Sequence, residues 1–340
     1  MSVLAERLTA QLLSGPPAPG PEAVAERLLA VQAQDGRGAR LAVRARTSGL
    51  SVADIDRALT EDRSLLVTWL NRGTLHLVRS EDYPWLQALT APRLRAGNAR
   101  RLAAEGMSAE AAERGVAVIS RALAEEGPLD RDRLGERVIA AGIRTHGQAF
   151  VHLLALASIR GLIVRGPMVA GKHAFALVRD WLGEPAAVDP DRALAELAAR
   201  YLAGHGPASD RDLARWAGVT LRDARTGLDA IASILHERAD GLVELKSRRG
   251  AAPLPAPRLL GSFEPVLLGW RSRDKLLGDD EERLISGGVF RPFALVRGRA
   301  VATWTISGER VWLEPFRSIS PKTRAALDLD ARDVTRFLSG

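Results

Sequence analysis

The sequence of 340 residues contains no cysteine and few aromatic residues. The lack of cysteine excludes disulfide frameworks, thiol nucleophiles, thiolate zinc sites and iron–sulfur clusters, because each of them needs a cysteine sulfur. Long hydrophobic runs are also missing, since no stretch reaches the roughly 18 apolar residues of a membrane helix. The first residues carry charges at helical spacing and do not resemble a signal peptide. We therefore expect a soluble, cytoplasmic protein that does not contact a membrane.

Lysine is nearly absent, although the chain is basic. Only four lysines occur, so 44 of the 48 basic residues are arginine, and the formal net charge is +7. Arginine is suited to bidentate contacts with phosphate and guanine. This balance permits binding to a polyanion without requiring it. A GC-rich genome would raise arginine and alanine in the same way with no functional meaning.

Several motifs of catalysis are incomplete or missing. The segment from Gly166 to His173 matches a Walker A loop except at its last position, where histidine replaces the Ser or Thr that holds magnesium. It also lies between two apolar segments rather than before a helix, so we interpret it as a wing loop. The six histidines show no metal-ligand spacing, and no G-x-S-x-G elbow or dinucleotide fingerprint occurs. We expect neither a metal nor a cofactor.

The amino-terminal third alternates helical and strand patterns. Apolar spacing predicts helices over 3–13 and 22–33, with Gly36 and Gly38 ending the second, and a short strand over 41–46. Ser51, followed by Asp54, marks the start of another helix. The stretch 65–78 indicates two strands around an Asn-Arg-Gly turn. Helices followed by a short hairpin are typical of a winged helix.

The middle of the chain repeats itself. Residues 121–134 and 200–213 share an arginine, a Gly-Pro pair and a leucine in register. In each copy a helix stops at Gly-Pro, a second helix ends at Gly142 or Gly218, and a third helix follows, over 147–159 or 221–235. Apolar pairs around glycine after each third helix predict a hairpin wing.

The carboxyl-terminal part has a different pattern. Three prolines within Arg249–Pro257 indicate a linker. Beyond it, 289–306 predicts a strand, a glycine turn and a strand, and a short helix is expected from about Pro321. We predict an α+β fold of three tandem winged-helix units, over 1–100, 101–185 and 186–250, with a small β-rich domain over 258–340.

Gln32 and Gln34 are the candidate catalytic residues. On a regular helix their side chains would lie about 200° apart. Unwinding at Gly36 would bring both amides around one ligand, where they can orient a water molecule. Glutamine is also common at exposed helix ends, so the residues alone leave a purely structural role open.

Three blocks of sequence carry a resemblance to a known family. Val31-Gln-Ala-Gln34 is the first, Trp69-Leu-Asn-Arg-Gly-Thr-Leu-His76 the second, and Leu260-Gly-Ser-Phe-Glu264 with the following Leu267-Leu-Gly-Trp270 the third. In this order and over nearly the whole chain, they resemble the AlkZ-type bacterial winged-helix DNA glycosylases. The resemblance implies tandem winged helices that form a curved DNA-binding body on a carboxyl-terminal β scaffold.

In that family a glutamine-apolar-glutamine motif serves hydrolysis of alkylated nucleotides, which the resemblance assigns to Gln32 and Gln34. With Gln34 at the second glutamine position of the motif, the chain resembles the branch of the family that is associated with bulky adducts and interstrand crosslinks. A related branch has aspartate at this position. Glu264 stands where the family pattern has aspartate, and many relatives are known only as DNA-binding proteins. Glutamines suit the chemistry, because an alkylated purine is a good leaving group and the enzyme mainly positions water. No lysine lies near Gln32, so we expect hydrolysis without a Schiff base.

Other polar residues are candidates for DNA contacts, with solvated surface positions as the alternative. They lie on the first wing, at the starts of the two third helices and at the carboxyl-terminal glycine turn: Arg72, His76, Gln148, Arg222, Arg225, Arg297 and Arg299. We predict a monomeric, monofunctional DNA glycosylase acting on double-stranded DNA that carries alkylated bases. The rival hypotheses are a non-enzymatic winged-helix DNA-binding protein, such as a regulator, and a scaffold that binds protein.

Overall fold

The computed structural model describes residues 2–184, 187–248 and 250–340. The helices of the amino-terminal half are Val3–Ala10 (α1), Pro21–Leu28 (α2), Gly36–Arg44 (α3), Val52–Thr60 (α4), Tyr83–Ala104 (α5), Ala109–Glu126 (α6), Arg131–Ala140 (α7) and Ala149–Ile159 (α8). Those that follow are Val178–Leu182 (α9), Pro190–His205 (α10), Asp210–Ala217 (α11), Leu221–Ala230 (α12), Pro265–Leu268 (α13), Asp274–Leu277 (α14), Glu281–Leu284 (α15) and Pro321–Ser339 (α16).

The strands are short and mostly antiparallel. They span Val31–Gln32 (β1), Leu65–Leu70 (β2), Thr74–Arg79 (β3), Leu129–Asp130 (β4), Ile163–Val169 (β5), Lys172–Leu177 (β6), Leu235–Glu237 (β7), Val243–Leu245 (β8), Arg258–Leu260 (β9), Ile285–Ser286 (β10), Val289–Phe290 (β11), Phe293–Val296 (β12), Arg299–Ser307 (β13) and Arg310–Pro315 (β14). Among the helices of the described part, none is both long and apolar enough to cross a membrane.

The chain divides into two compact units. One is discontinuous and comprises Met1–Ile55 with Leu194–Gly340, and the other is Asp56–Ala193. The mixture of helices and strands agrees with the predicted α+β class. The predicted number of winged-helix units and their boundaries remain predictions.

The continuous unit is built around antiparallel strands in the order β3-β2-β5-β6-β4. The turn between β2 and β3 contains Asn71 and Gly73, both with positive φ, so the hairpin predicted at this position is present. Helix α8 packs against α5, α6 and the sheet. Nine of its 11 residues are buried, because its sequence is apolar on all sides.

The discontinuous unit contains two arrangements of elements. Helices α10, α11 and α12 precede the β7–β8 hairpin, and capping boxes begin α11 at Ser209 and α12 at Thr220. A four-stranded sheet in the order β14-β13-β12-β9 forms the carboxyl-terminal part, against which α16 packs. Arg249, at the start of the predicted linker, lies outside the described residues.

Several predicted elements differ from the structure near the glutamines. The second helix ends at Leu28 and not at residue 33, because Leu29 has a φ of +63° that no α-helix allows. Gly36 begins α3 under an Asp35 cap instead of ending a helix. Residues 41–44 of the predicted strand over 41–46 are therefore helical, and a turn follows at 45–46. Three consecutive buried apolar residues, 41–43, resemble a buried strand in sequence.

Other boundaries differ at helix ends. The first helix ends at Ala10 rather than residue 13, and α12 ends at Ala230 rather than 235. The closing helix α16 is 19 residues long and not short. Its buried residues, Leu327, Val334 and Phe337, recur at helical spacing among charged and polar ones.

Candidate active site and nucleic-acid contacts

The two glutamines lie in an extended connection between α2 and α3. Gln32 is in β1 and only 6% exposed, whereas Gln34 is exposed in the bend that precedes α3. Because the backbone here is not helical, the separation of about 200° expected on a helix does not apply. Strand β1 ends at Gln32, and the chain bends at Gln34. The pair therefore combines a buried amide with an exposed one.

Asp35 holds the end of this connection. One carboxylate oxygen accepts the backbone N–H of Arg37 at 3.0 Å and caps α3. The other accepts a hydrogen bond from the Ser262 hydroxyl. A carboxylate directly after Gln34 thus joins the first and third sequence blocks.

Backbone contact strengthens this junction. A Cβ placed on Gly38 would lie 2.5 Å from the Ser262 carbonyl oxygen, and one on Gly261 would lie 2.9 Å from the Gly38 carbonyl oxygen. Real side chains cannot occupy such positions without displacing the backbone. Glycine at both places therefore lets α3 touch residues 260–264.

Glu264 forms a buried ion pair with Arg46. One of its oxygens lies 2.5 Å from an Arg46 Nη, and neither side chain is exposed. Arg46 also donates to the backbone oxygens of Gln11, at 2.7 Å, and Ala42, at 2.8 Å. This network shows that Glu264, whose role the sequence left open, connects the segment after α3 with the carboxyl-terminal part.

Arg72 and His76 belong to the β2–β3 hairpin. Arg72 is half-buried in the turn, and His76 is buried on β3. Burial, assisted by the nearby Arg72 charge, lowers the pKa of His76 to about 3. The ring is therefore neutral at physiological pH, and Nδ1–H donates to the Thr74 carbonyl oxygen at 2.9 Å. Its Nε2 atom can accept a hydrogen bond, but His76 brings no positive charge.

Asn71, in the same turn, was not singled out from the sequence. Its side chain is only 1% exposed, and both its amide nitrogen and amide oxygen lack a hydrogen-bond partner among the described residues. Buried amides are normally satisfied, so this one is costly to the fold. Asp35 and Ser262 were missed as well. The Asp-Gly step before α3 is an N-cap signal that the sequence did contain.

The predicted contacts near the starts of the third helices are all exposed. Gln148 is exposed just before α8, and its backbone N–H donates to Glu105 at 3.0 Å. Arg222 is exposed in the first turn of α12. Arg225, also exposed, forms an ion pair with Asp210 at 2.7 Å. The structure brings Arg222 and Arg225 together on one short helix.

Arg297 and Arg299 flank a tight turn. Arg297 and Gly298 both have positive φ, as a two-residue hairpin loop requires, and both arginines are exposed. A Cβ on Gly298 would lie 2.9 Å from a methyl group of Leu4, so the turn rests on α1. In the Walker-like segment, Lys172 pairs with Asp132 at 2.6 Å and lies on a strand, as expected for a wing.

Comparison with known proteins shows that the chain is a DNA glycosylase. The chain belongs to the DNA glycosylase AlkZ-like family, whose model matches residues 25–337. It therefore hydrolyses an N-glycosidic bond in DNA as part of DNA repair, and the resemblance noted in the sequence is confirmed. The rival hypothesis of a non-enzymatic binding protein does not apply.

Two comparisons describe its relatives. An interstrand DNA cross-link repair glycosylase of Streptomyces sahachiroi is 28% identical over 369 residues, covering 98% of this chain and 95% of the relative. The solved structure of Streptomyces sahachiroi DNA glycosylase AlkZ matches with a TM-score of 0.77 at 26% identity. It covers 98% of this chain and 95% of that one.

Proposed function

We propose that the enzyme releases alkylated purines, N7-alkylguanine or N3-alkyladenine, from double-stranded DNA. Alkylation at these atoms puts positive charge on the base, so the glycosidic bond breaks toward an oxocarbenium-like sugar without strong acid assistance. The enzyme then needs to hold water in place rather than to abstract a proton. An uncharged amide pair fits that task.

The observation that carries this proposal is the pairing of a buried Gln32 with an exposed Gln34 on one extended connection. The exposed Gln34 carbonyl oxygen accepts a hydrogen bond from the attacking water. The Gln32 amide, fixed by its burial, supports that water or the neighbouring sugar. Because no lysine lies near them in the sequence, the reaction is expected to leave an abasic site without strand cleavage.

Bulky adducts and interstrand crosslinks are included in the proposed substrate range. The relative from Streptomyces sahachiroi is named for cross-link repair. The exposure of Gln34 supports the same range here, because a lesion at an open surface need not be flipped into a closed pocket.

We also propose DNA contacts for the residues predicted on the wings and helix starts. Exposure supports Gln148, Arg222, Arg225, Arg297 and Arg299, and Arg72 adds charge at a hairpin turn. His76 contributes a neutral hydrogen-bond acceptor only. The enzyme acts as a monomer and needs neither metal nor cofactor for this reaction.

Incubation with a panel of alkylated duplexes, followed by analysis of released bases, tests the proposal. Gln32→Ala and Gln34→Ala should each lower single-turnover base release by about 10²–10³-fold, the usual effect of removing one stabilising amide. Affinity for undamaged duplex should stay close to that of the parent protein.

Gln87→Ala is the matched control. Gln87 is a half-buried glutamine that donates to the Ile159 carbonyl oxygen at 3.0 Å. Its loss should leave base release unchanged. Equal release by the parent protein and both motif variants would reject the assigned roles, and release of undamaged bases only would reject the substrate class.

A further inference from the structure

Helix α8 stands where a winged helix normally presents its recognition helix, yet it cannot enter a groove. Helix α5 runs antiparallel along it. Gln87 donates to the Ile159 carbonyl oxygen at 3.0 Å, and Asn98 to the His152 carbonyl oxygen at 3.0 Å. At the other end the Gln148 N–H donates to Glu105, just after α5. These contacts leave α8 buried over almost its whole length.

The outward side of α5 has an unusual composition. The helix contains Arg93, Arg95, Arg100 and Arg101 and no acidic residue. All four arginines are exposed. The residues around them on the helix are small: Ala96, Gly97, Ala99, Ala103 and Ala104. A surface of arginine and small residues lets a phosphate backbone approach closely.

A second observation concerns the ion pairs of these arginines. Arg95, Arg100 and Arg101 form no ion pair with any described residue. Other arginines of this unit are engaged, as the half-buried Arg137 is with Glu126 at 2.7 Å and the half-buried Arg160 is with Glu113. An unpaired arginine loses no internal contact when it binds a phosphate.

Further basic groups border α5. The Arg101 charge is close enough to α8 to help burial lower the pKa of His152. Arg144 and His146 are exposed in the turn that leads to α8. The nearby Glu105 carboxylate is already occupied by the Gln148 N–H.

We propose that the face of α5 that carries Arg93, Arg100 and Arg101, which we name the α5 arginine face, binds the phosphate backbone of duplex DNA. It takes the place of the covered α8 and positions DNA without reading its sequence. This inference rests on the proposed action on double-stranded DNA and adds a contact surface to it.

Salt-dependent binding to an undamaged duplex of about two helical turns tests the inference. Each lost phosphate contact lowers the slope of log affinity against log salt by about 0.9, so Arg100→Ala with Arg101→Ala should lower it by about 1.8. The DNA concentration that gives half-maximal single-turnover base release should rise by the same factor as the loss of affinity. Arg100→Lys with Arg101→Lys should keep the slope.

Arg133→Ala with Arg137→Ala is the matched control. It removes two arginines from α7 in the same unit, the exposed Arg133 and the half-buried Arg137, which are both engaged with Glu126. The net charge changes by the same amount as in the α5 double variant. An equal slope change in this control, or no change in the α5 double variant, would overturn the inference. The two proposals can also be separated. If the parent protein released no base but the α5 double variant still had a smaller slope of log affinity against log salt, the proposed substrate would be rejected and the DNA contact of the α5 arginine face would be supported.

Discussion

Asp35 is the residue through which the glutamine motif depends on the rest of the chain. Its carboxylate caps α3 and accepts a hydrogen bond from Ser262, 227 residues away. Both contacts are made by the residue directly after Gln34. A small rotation here would move the exposed amide relative to the buried one, and misplacement of a positioning group by about 1 Å is costly in rate.

Asp35→Ala should therefore lower base release by about tenfold, equivalent to about 1.4 kcal/mol of barrier. It should also lower the free energy of unfolding by about 0.5–2 kcal/mol through loss of the helix cap. Asp35→Asn should restore both, because asparagine caps helices as well as aspartate does and its amide can bond Ser262. Single-turnover release and chemical denaturation provide the two readouts. An asparagine variant as slow as the alanine variant would show that the charge itself is required.

The sequence was sufficient to predict the residues of the glutamine motif, but not the contacts that hold the motif in place. Gln32 and Gln34 could be named from three short blocks in the right order. The Asp35–Ser262 contact could not be, because no local pattern indicates which of many serines a carboxylate meets across 227 residues. Glycine at 38 likewise carries meaning only once the Ser262 backbone lies against it.

Among the elements, prediction succeeded where caps and turns act locally. The Ser51 and Asp54 start of α4 is present, with the Ser51 N–H donating to Asp54 at 2.8 Å. The hairpin around residues 71–73 is present as well. Prediction failed at the end of α2, where tertiary packing of the fully buried Leu28 and Leu29 imposes a positive φ on a leucine. Such a conformation opposes local preference, so sequence periodicity cannot reveal it.

Two helical glycines should respond in opposite ways to the same substitution. Gly97 on α5 has open space around it, since the atom nearest to where a Cβ would stand is the flexible Arg100 Nη2 at 4.0 Å. Gly97→Ala should raise the free energy of unfolding by about 0.5–1 kcal/mol, because alanine loses less conformational entropy in a helix. Gly227 on α12 faces the Leu194 carbonyl oxygen, which a Cβ at this position would overlap.

Gly227→Ala should therefore lower the free energy of unfolding by about 1–3 kcal/mol, since α12 must move away from α10. Urea denaturation of the two variants beside the parent protein measures both changes. The same sign for both substitutions would mean that helix propensity, rather than the closeness of α10, governs these positions.

At the scale of the whole molecule, the discontinuous unit depends on contacts between its two segments. The chain leaves this unit after Ile55 and returns at Leu194. Arg46 and Glu264, 218 residues apart, meet within it as a fully buried ion pair. A second link comes from Arg44, which pairs with Asp330 at 2.6 Å and Asp333 at 2.8 Å. The sequence shows two arginines close together, at 44 and 46. Neither composition nor periodicity indicates that these arginines hold the carboxyl-terminal part in place.

Removing one partner of the buried pair tests this dependence. Glu264→Gln should lower the free energy of unfolding by about 3–5 kcal/mol, because it leaves the Arg46 charge buried without its counter-ion. Arg46→Met should be similarly destabilising, and the double variant should lose less than the sum of the two, as expected for residues in direct contact. Denaturation of all four proteins gives the coupling.

Base release separates this structural role from a catalytic one. Glu264 has no exposed surface and cannot touch DNA, so Glu264→Gln should keep the single-turnover release rate at temperatures where the variant remains folded. Glu264→Asp, which restores the residue expected from the family pattern, shortens the side chain and should weaken the pair while leaving release intact. A variant with the parent's free energy of unfolding and a much slower release would instead assign Glu264 to the reaction, because only a direct part in the chemistry could slow release without loosening the fold.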